Sequence, residues 1–178
     1  ALEFISGHFK TGEPLPKEKL NQLIKAKNFQ AAMFVLRQLE FGLFDFRLHH
    51  EYDPAKGAQI LDTLKRVKEQ VAVIKSPEWI RTPHSFSHIF AGGYAAGYYS
   101  YLWAEVLSAD VFSRFEEEGI FNPETGRAYL DEILTRGGSE EPMILFKRFR
   151  GRAPKLDALL RHKGILENIT SVACIKRD

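Results

Sequence analysis

The chain has 178 residues, of which 44% are hydrophobic, 12% aromatic and 27% charged. Its 14 phenylalanines and its near balance of 25 basic against 23 acidic residues argue against intrinsic disorder, which goes with few aromatics and a one-sided charge. A net charge of +2, with the two signs interleaved, gives no electrostatic basis for a nucleic-acid partner.

The cysteine content and the lengths of the apolar runs argue against disulfide-linked, membrane-spanning and secreted proteins. Cys174 is the single cysteine, which excludes an intrachain disulfide and any site built from several cysteines. No apolar run approaches the roughly 18 residues of a membrane span. The first 20 residues also lack the continuous apolar stretch of a signal peptide. The sequence therefore predicts a cytoplasmic protein with no membrane partner.

Apolar residues recur every three or four positions along most of the chain, which is the spacing of amphipathic helices. Predicted helices cover residues 17–27, 29–48, 54–75, 98–117, 122–134, 139–149 and 154–163. Residues 1–5 are also helix-prone, residues 82–93 resemble a turn, and the strand-like run 71–74 is interpreted as a helix end. The expected fold is all-α, with six or seven helices in one domain over residues 1–165 and a tail over 166–178.

The most informative segment runs from His84 to Trp103. It places three glycines within six residues beside four tyrosines within eight. Glycine permits unusual backbone angles, and tyrosine supplies a neutral phenol that can donate a hydrogen bond at physiological pH. Tyr94, Tyr98 and Tyr101 would share one face if the segment were a continuous helix. If the glycines keep the segment loose, Tyr94 instead lies on a mobile loop and Tyr101 on a helix.

Two interpretations of these tyrosines remain open at this point. In the first, their hydroxyls and His88 converge on one polarised oxygen, where each donor contributes about 2.7–4 kcal/mol to stabilising a transition state. In the second, the aromatic rings fill a core and their hydroxyls bond to backbone or water.

Histidine spacing gives little support for a metal site. His84 and His88 are four residues apart, but Ser85 stands where a zinc-protease helix carries glutamate, and no third ligand is evident. His49 and His50 lie at a predicted helix end, where protonated imidazoles suit the helix dipole.

Two charged runs in the C-terminal half of the chain are expected to have no role in binding or catalysis. The acidic run 116–118 is interpreted as a solvated helix face. The basic cluster contains Lys147, Arg148, Arg150 and Arg152. This cluster is expected to form salt bridges with Glu140 or Glu141 rather than to bind an anion.

Several of these segments together resemble the C-terminal part of the thimet oligopeptidase family of zinc metallopeptidases. The segments that carry the resemblance are 86–94, 98–103, 115–119, 137–140 and 149–152. The resemblance extends from residue 1 to about residue 165. The tail 166–178 departs from the family pattern and is either a natural extension or cloning-derived.

The resemblance implies a nearly all-helical peptidase whose deep channel admits only short peptides. In the family, zinc is held by two histidines of an H-E-x-x-H helix and a glutamate on the next helix. This chain contains no H-E-x-x-H, so it is expected to hold no zinc ligand and to be inactive alone. The chain is therefore expected to be the C-terminal piece of a longer parent protein, beginning just after the last metal ligand of that parent. Zinc is expected to bind in the parent.

The resemblance also assigns roles residue by residue. Tyr101 resembles the tyrosine that hydrogen-bonds the tetrahedral oxyanion, and Tyr94 a second tyrosine that moves in to assist. His88 resembles a histidine that contacts the substrate or the developing charge. The residues expected to line the substrate-binding wall are Tyr98, Gly92 and Gly93.

The partners implied are short peptides and the missing N-terminal part of the parent. Removing that part would expose apolar surface, so self-association into a homo-oligomer is a further expectation. The alternative hypothesis is a non-catalytic helical module that binds a peptide or a partner protein.

Overall fold

A computed structural model describes residues 2–77 and 79–166. The predicted tail beyond residue 166, and Cys174 with it, lies outside these described residues. The helices are α1 (Leu2–Ile5), α2 (Lys17–Lys27), α3 (Ala31–His50), α4 (Ile60–Val71), α5 (Thr82–Ser85), α6 (Ser87–Phe90), α7 (Ser100–Glu118), α8 (Pro123–Tyr129), α9 (Pro142–Arg150) and α10 (Asp157–His162). A 3-10 turn, Pro54–Lys56, and a π-helical turn, Leu130–Leu134, complete the elements. Over the described ranges there is no strand, and the predicted all-α class is confirmed.

Helix boundaries differ from the sequence predictions where the backbone turns sharply. Helix α3 begins at Ala31 rather than at residue 29, because Gln30 adopts a left-handed conformation with φ of 54°. The predicted helix 54–75 is shorter than expected. Asp53 caps only a 3-10 turn, Gly57 (φ 71°) ends that turn, and α4 begins at Ile60. Because α4 ends at Val71, the run 72–74 lies beyond the helix and not in its last turn.

Helices α3 and α4 pack against each other and support the segment that precedes the tyrosines. Phe44 of α3 packs with Leu64 and Val67 of α4, and all three are buried. Phe86 and Ile89, on either side of His88, complete this core. The His88 segment is therefore fixed by burial of its two apolar neighbours.

The second half of the chain is organised around α7. Val106 and Ala109 of α7 pack against Ala158 and Leu159 of α10 in a separate buried cluster. Asp110, on the same helix, is completely buried and accepts hydrogen bonds from the two arginines of α9 and its C-terminal loop. This polar contact joins α7 to the chain that follows α9.

The basic cluster thus divides among three acidic partners, Glu140, Asp110 and Glu117, of which Glu117 lies 2.9 Å from Arg150. Arg148 pairs with Glu140 at 2.8 Å, as the sequence predicts. Arg150 and Arg152 instead reach the Asp110 carboxylate, at 3.2 and 2.6 Å, so for these two the predicted partners were wrong. Although burial of Asp110 opposes its ionisation, the Arg152 guanidinium and the Lys155 amide hold the pKa of that carboxyl below its usual value.

None of the helices in the described part of the chain is both long enough and apolar enough to cross a lipid bilayer.

Candidate functional site

The candidate site is the connection between α6 and α7. Helix α6 ends at Phe90, the glycine-rich residues follow as a series of turns, and α7 begins at Ser100. Tyr94 therefore lies on the connecting loop, whereas Tyr101 lies in the first turn of a 19-residue helix. Of the two arrangements that the sequence left open, the structure adopts the interrupted one.

The loop brings together the aromatic residues singled out from the sequence. The Tyr94 and Tyr101 rings stack with centroids 5.1 Å apart and an interplanar angle of 26°. The His88 ring lies 6.1 Å from Tyr94, 5.7 Å from Tyr98 and 6.5 Å from Tyr101. One histidine and three phenols thus form a single cluster, although they come from three different local structures.

Solvent exposure of the side chains shows which rings fill a core and which are free to donate a hydrogen bond to a ligand. Tyr94 and Tyr101 are 36% and 42% exposed, and His88 is also exposed. Tyr98 is half-buried and packs edge-on against Phe41 and Phe86, with centroids 5.5 and 5.0 Å away. The core interpretation therefore applies to Tyr98, whereas the stacked tyrosine pair is open to solvent.

The surroundings of Tyr101 and Tyr98 raise the pKa of both phenols. A hydrogen bond with the Tyr94 side chain, followed by desolvation, raises the pKa of Tyr101 above its ordinary value. Desolvation raises the pKa of Tyr98, and the nearby charge of Arg37 opposes that shift only in part. Both groups are consequently neutral at physiological pH, and a neutral phenol can donate a hydrogen bond.

Gly92 and Gly93 are required by the backbone of the loop. Gly93 adopts a φ of 78°, in the left-handed region that favours glycine. A Cβ atom on Gly92 would lie 2.9 Å from the Cα and 3.0 Å from the carbonyl oxygen of His88. The chain can therefore turn back directly over His88 only because residue 92 has no side chain.

We expect Gly92→Ala to lower the free energy of unfolding by about 1–3 kcal/mol, the usual cost of forcing atoms into occupied space. Urea denaturation of the chain measures this difference. The matched control is Gly126→Ala in α8, where a Cβ meets nothing within 4 Å. The control is expected to be neutral or stabilising by up to about 1 kcal/mol. Equal effects of the two substitutions would contradict the close-approach argument.

The structure gives no support to a metal site at His84 and His88 and places His49 and His50 in different contacts. His84 and His88 lie on two different one-turn helices, so their spacing is not that of one continuous helix. His49 bonds through Nδ1 to the carbonyl oxygen of Asp45 at 2.8 Å, and the His50 ring packs near Phe46. Within residues 2–77 and 79–166, no group of three or more His, Cys, Asp or Glu side chains is arranged to hold a metal ion.

Asp45, which was not predicted from the sequence, also contacts the loop. Its carboxylate is completely buried and accepts the backbone N–H groups of Ala96 and Tyr98, each at 2.9 Å. A carboxylate between Phe44 and Phe46, within an otherwise apolar stretch of helix, was the signal available in the sequence. Buried carboxylates need hydrogen-bond partners, so this position indicated a distant polar contact.

The family model and the similar proteins point to the same family of peptidases. Residues 1–165 match the model of Peptidase family M3. The chain is 82% identical to oligopeptidase A of Haemophilus influenzae, over 93% of this chain and 24% of the relative. It is 73% identical to oligopeptidase A of Escherichia coli, over 93% of this chain and 24% of that protein. It is 38% identical to saccharolysin of Saccharomyces cerevisiae, over 90% of this chain and 23% of that protein.

The chain thus spans about a quarter of the length of these relatives. Their similarity nevertheless extends over almost all of the chain, including the glycine–tyrosine segment. This agreement confirms the resemblance drawn from the sequence, and the chain belongs to Peptidase family M3.

Proposed function

We propose that this chain is the part of a zinc-dependent oligopeptidase that binds a short peptide and stabilises the oxyanion formed during its hydrolysis. The observation that carries the proposal is the solvent-open stack of Tyr94 and Tyr101, with the His88 ring within 6.5 Å of both. Two oligopeptidases A that are 82% and 73% identical to this chain over 93% of its length support it.

The chemistry required of the two phenols is hydrogen-bond donation. Attack of water on a peptide carbonyl converts its oxygen into an oxyanion, and donors already placed around that oxygen stabilise the transition state. Tyr101 lies on a long helix and is the fixed donor. Tyr94, on the loop beside it, is the second donor. The two rings stack with centroids 5.1 Å apart, which places both hydroxyl-bearing side chains side by side at the open face of the cluster.

The other cluster residues contact the substrate or support the two donors. His88 is exposed beside both phenols, where an imidazole can contact the substrate or the developing charge. Tyr98 supports the ring of Tyr101 from the buried side, with centroids 5.1 Å apart. Gly92 and Gly93 present backbone without side chains at the edge of the cluster, which permits close approach of a peptide.

The residues that the structure describes do not fit the zinc of the proposed enzyme. The described side chains form no group that could hold a metal ion, so the metal is assigned to another part of the longer protein. When bound there, zinc would supply the activated water. The cytoplasmic location expected from the sequence stays a prediction.

The rest of the longer protein is the proposed partner of an exposed apolar groove between α3 and α7. The groove has a volume of about 410 Å³ and is lined by Leu39, Phe46, Trp103 and Leu156, among others. These four side chains are all more than a third exposed. Contiguous apolar surface of this kind is typical of a surface that is covered in the native assembly. Self-association of the separated chain through this surface also stays a prediction.

Cleavage of a fluorescence-quenched short peptide tests the proposal. The longer protein that contains this chain is expected to cleave the peptide and to lose activity when zinc is chelated. The 178-residue chain is expected to show no turnover, because its sequence contains no H-E-x-x-H motif. Turnover by the 178-residue chain that survives a chelator would contradict the proposal. Peptide binding by both proteins with cleavage by neither would favour the non-catalytic binding module.

A further inference from the structure

We infer that Asp45 is a positioning residue for the tyrosine pair, holding the loop that carries Tyr94 and the start of the helix that carries Tyr101. The inference rests on the proposed function, because it concerns how the two donors are placed. Asp45 lies on α3, a different helix from either tyrosine, and it reaches the loop only through its buried carboxylate.

The two carboxylate oxygens hold two separate points of the loop. Oδ1 accepts the N–H of Ala96 and Oδ2 accepts the N–H of Tyr98, both at 2.9 Å. These amides lie two residues after Tyr94 and three residues before Tyr101 in the sequence. The carboxylate therefore fixes the stretch of backbone that sets the distance between the two phenols.

This stretch of backbone needs an external partner. Ala96 has a φ of 54°, a left-handed conformation that alanine rarely adopts. The neighbouring Gly97 and Ser100 amides bond within the loop, to the carbonyl oxygens of Tyr94 and Gly97. Charge-assisted hydrogen bonds from the carboxylate hold Ala96 in a conformation that the loop does not favour by itself.

Only a carboxylate matches this pair of donors. Both backbone groups that face the side chain are N–H donors, so both of its oxygens must accept. Asparagine has nearly the same shape but carries one oxygen and one NH₂ group, and the NH₂ group would face a backbone N–H. Asp45→Asn therefore removes one of the two contacts with little change in volume.

His49 completes the arrangement from the same helix. Its Nδ1 lies 3.1 Å from Oδ1 of Asp45 and 2.8 Å from the Asp45 carbonyl oxygen. The imidazole side chain is 34% exposed, so it covers the carboxylate from the solvent side. His49→Ala consequently removes one contact that holds the Asp45 carboxylate in place, and it leaves no cavity in the buried core.

A double-mutant cycle in the longer protein tests the inference. Asp45→Asn is expected to reduce kcat by about 10- to 100-fold, the order of loss that follows a small misplacement of catalytic groups, while KM changes less. If Asp45 acts through the tyrosines, Asp45→Asn should reduce kcat at least about twofold less in a Tyr101→Phe background than in the parent, because only Tyr94 is then left to position and coupled residues are not additive. Full additivity would overturn the inference, since it would mean that Asp45 supports the fold but not the donor pair. An unchanged kcat in Asp45→Asn would overturn it as well.

Thermal unfolding shows whether Asp45→Asn folds. If it does not fold, a second pair of variants tests the inference. His49→Ala is then expected to reduce kcat about two- to fivefold, a partial loss of positioning. The neighbouring His50→Ala, whose ring lies against Phe46, is expected to keep the parental kcat. Equal kcat values for these two variants would overturn the inference. Failure of the proposed function is distinguishable, because it would appear as a parental kcat in Tyr101→Phe itself.

Discussion

Tyr101→Phe in the longer protein is expected to lower kcat for a short peptide by roughly 10²–10³-fold, the loss typical when one oxyanion donor is removed. The substitution deletes a hydroxyl and leaves the ring, so the stacking on Tyr94 at 5.1 Å is retained. KM is expected to change little, because the hydroxyl contributes mainly after the carbonyl oxygen has become charged. Steady-state kinetics with a quenched peptide measures both parameters.

Tyr99→Phe is the matched control for this prediction. Tyr99 is adjacent in the sequence and more than half exposed, but its ring faces Phe46 rather than the His88 cluster. Removing its hydroxyl is expected to leave kcat within about twofold of the parent, as for surface substitutions away from the site. Equal losses in the two variants, or no loss in Tyr101→Phe, would remove the oxyanion role from Tyr101.

Asp110→Ala is expected to lower the free energy of unfolding by about 3–5 kcal/mol, the cost of breaking a buried ion pair from one side. Asp110 is completely buried, and the side chain of its partner Arg150 is only 5% exposed. Removing the carboxylate also deprives Arg152 and the Lys155 amide of their acceptor. Urea denaturation of the chain measures the difference.

Glu140→Ala provides the control, because its salt bridge is equally short but exposed. Glu140 lies 2.8 Å from Arg148, and both side chains are at least 30% exposed. Solvent screens such an exposed pair, so it contributes little to stability. Comparable destabilisation by the two substitutions would contradict the claim that burial, rather than distance, determines the contribution of Asp110.

The same prediction has a defined pH dependence. Because the folded-state pKa of Asp110 lies below the unfolded value, its stabilising contribution is fully present above that unfolded value and is lost as pH falls. The difference between the parent and Asp110→Ala should therefore be constant from neutral pH to about pH 4 and shrink below it. A difference that grew on acidification would have the opposite sign and would contradict the assignment.

Most of the helices could be predicted from the sequence because their signals are local. Apolar residues three or four positions apart define the helix faces, and proline or glycine ends them within a few residues. The seven predicted helices are all present, and Gly119 and Gly151 directly follow the last residues of α7 and α9. The one-turn helices α5 and α6 were not predicted, since four residues carry too little periodicity.

The residue types of the candidate site were also evident in the sequence, but their arrangement was not. Whether Tyr94 and Tyr101 face solvent or fill a core depends on Phe86 and Ile89 packing against α3 and α4. The contacts of Asp45 join residues 51 and 53 positions apart, and those of Asp110 join residues 40 to 45 positions apart. Periodicity describes neighbours within a few turns, whereas a buried carboxylate is satisfied by whichever donors the folded chain brings to it. For this reason the sequence alone determined the helices and the family, and only the tertiary structure decided what holds the tyrosine loop in place.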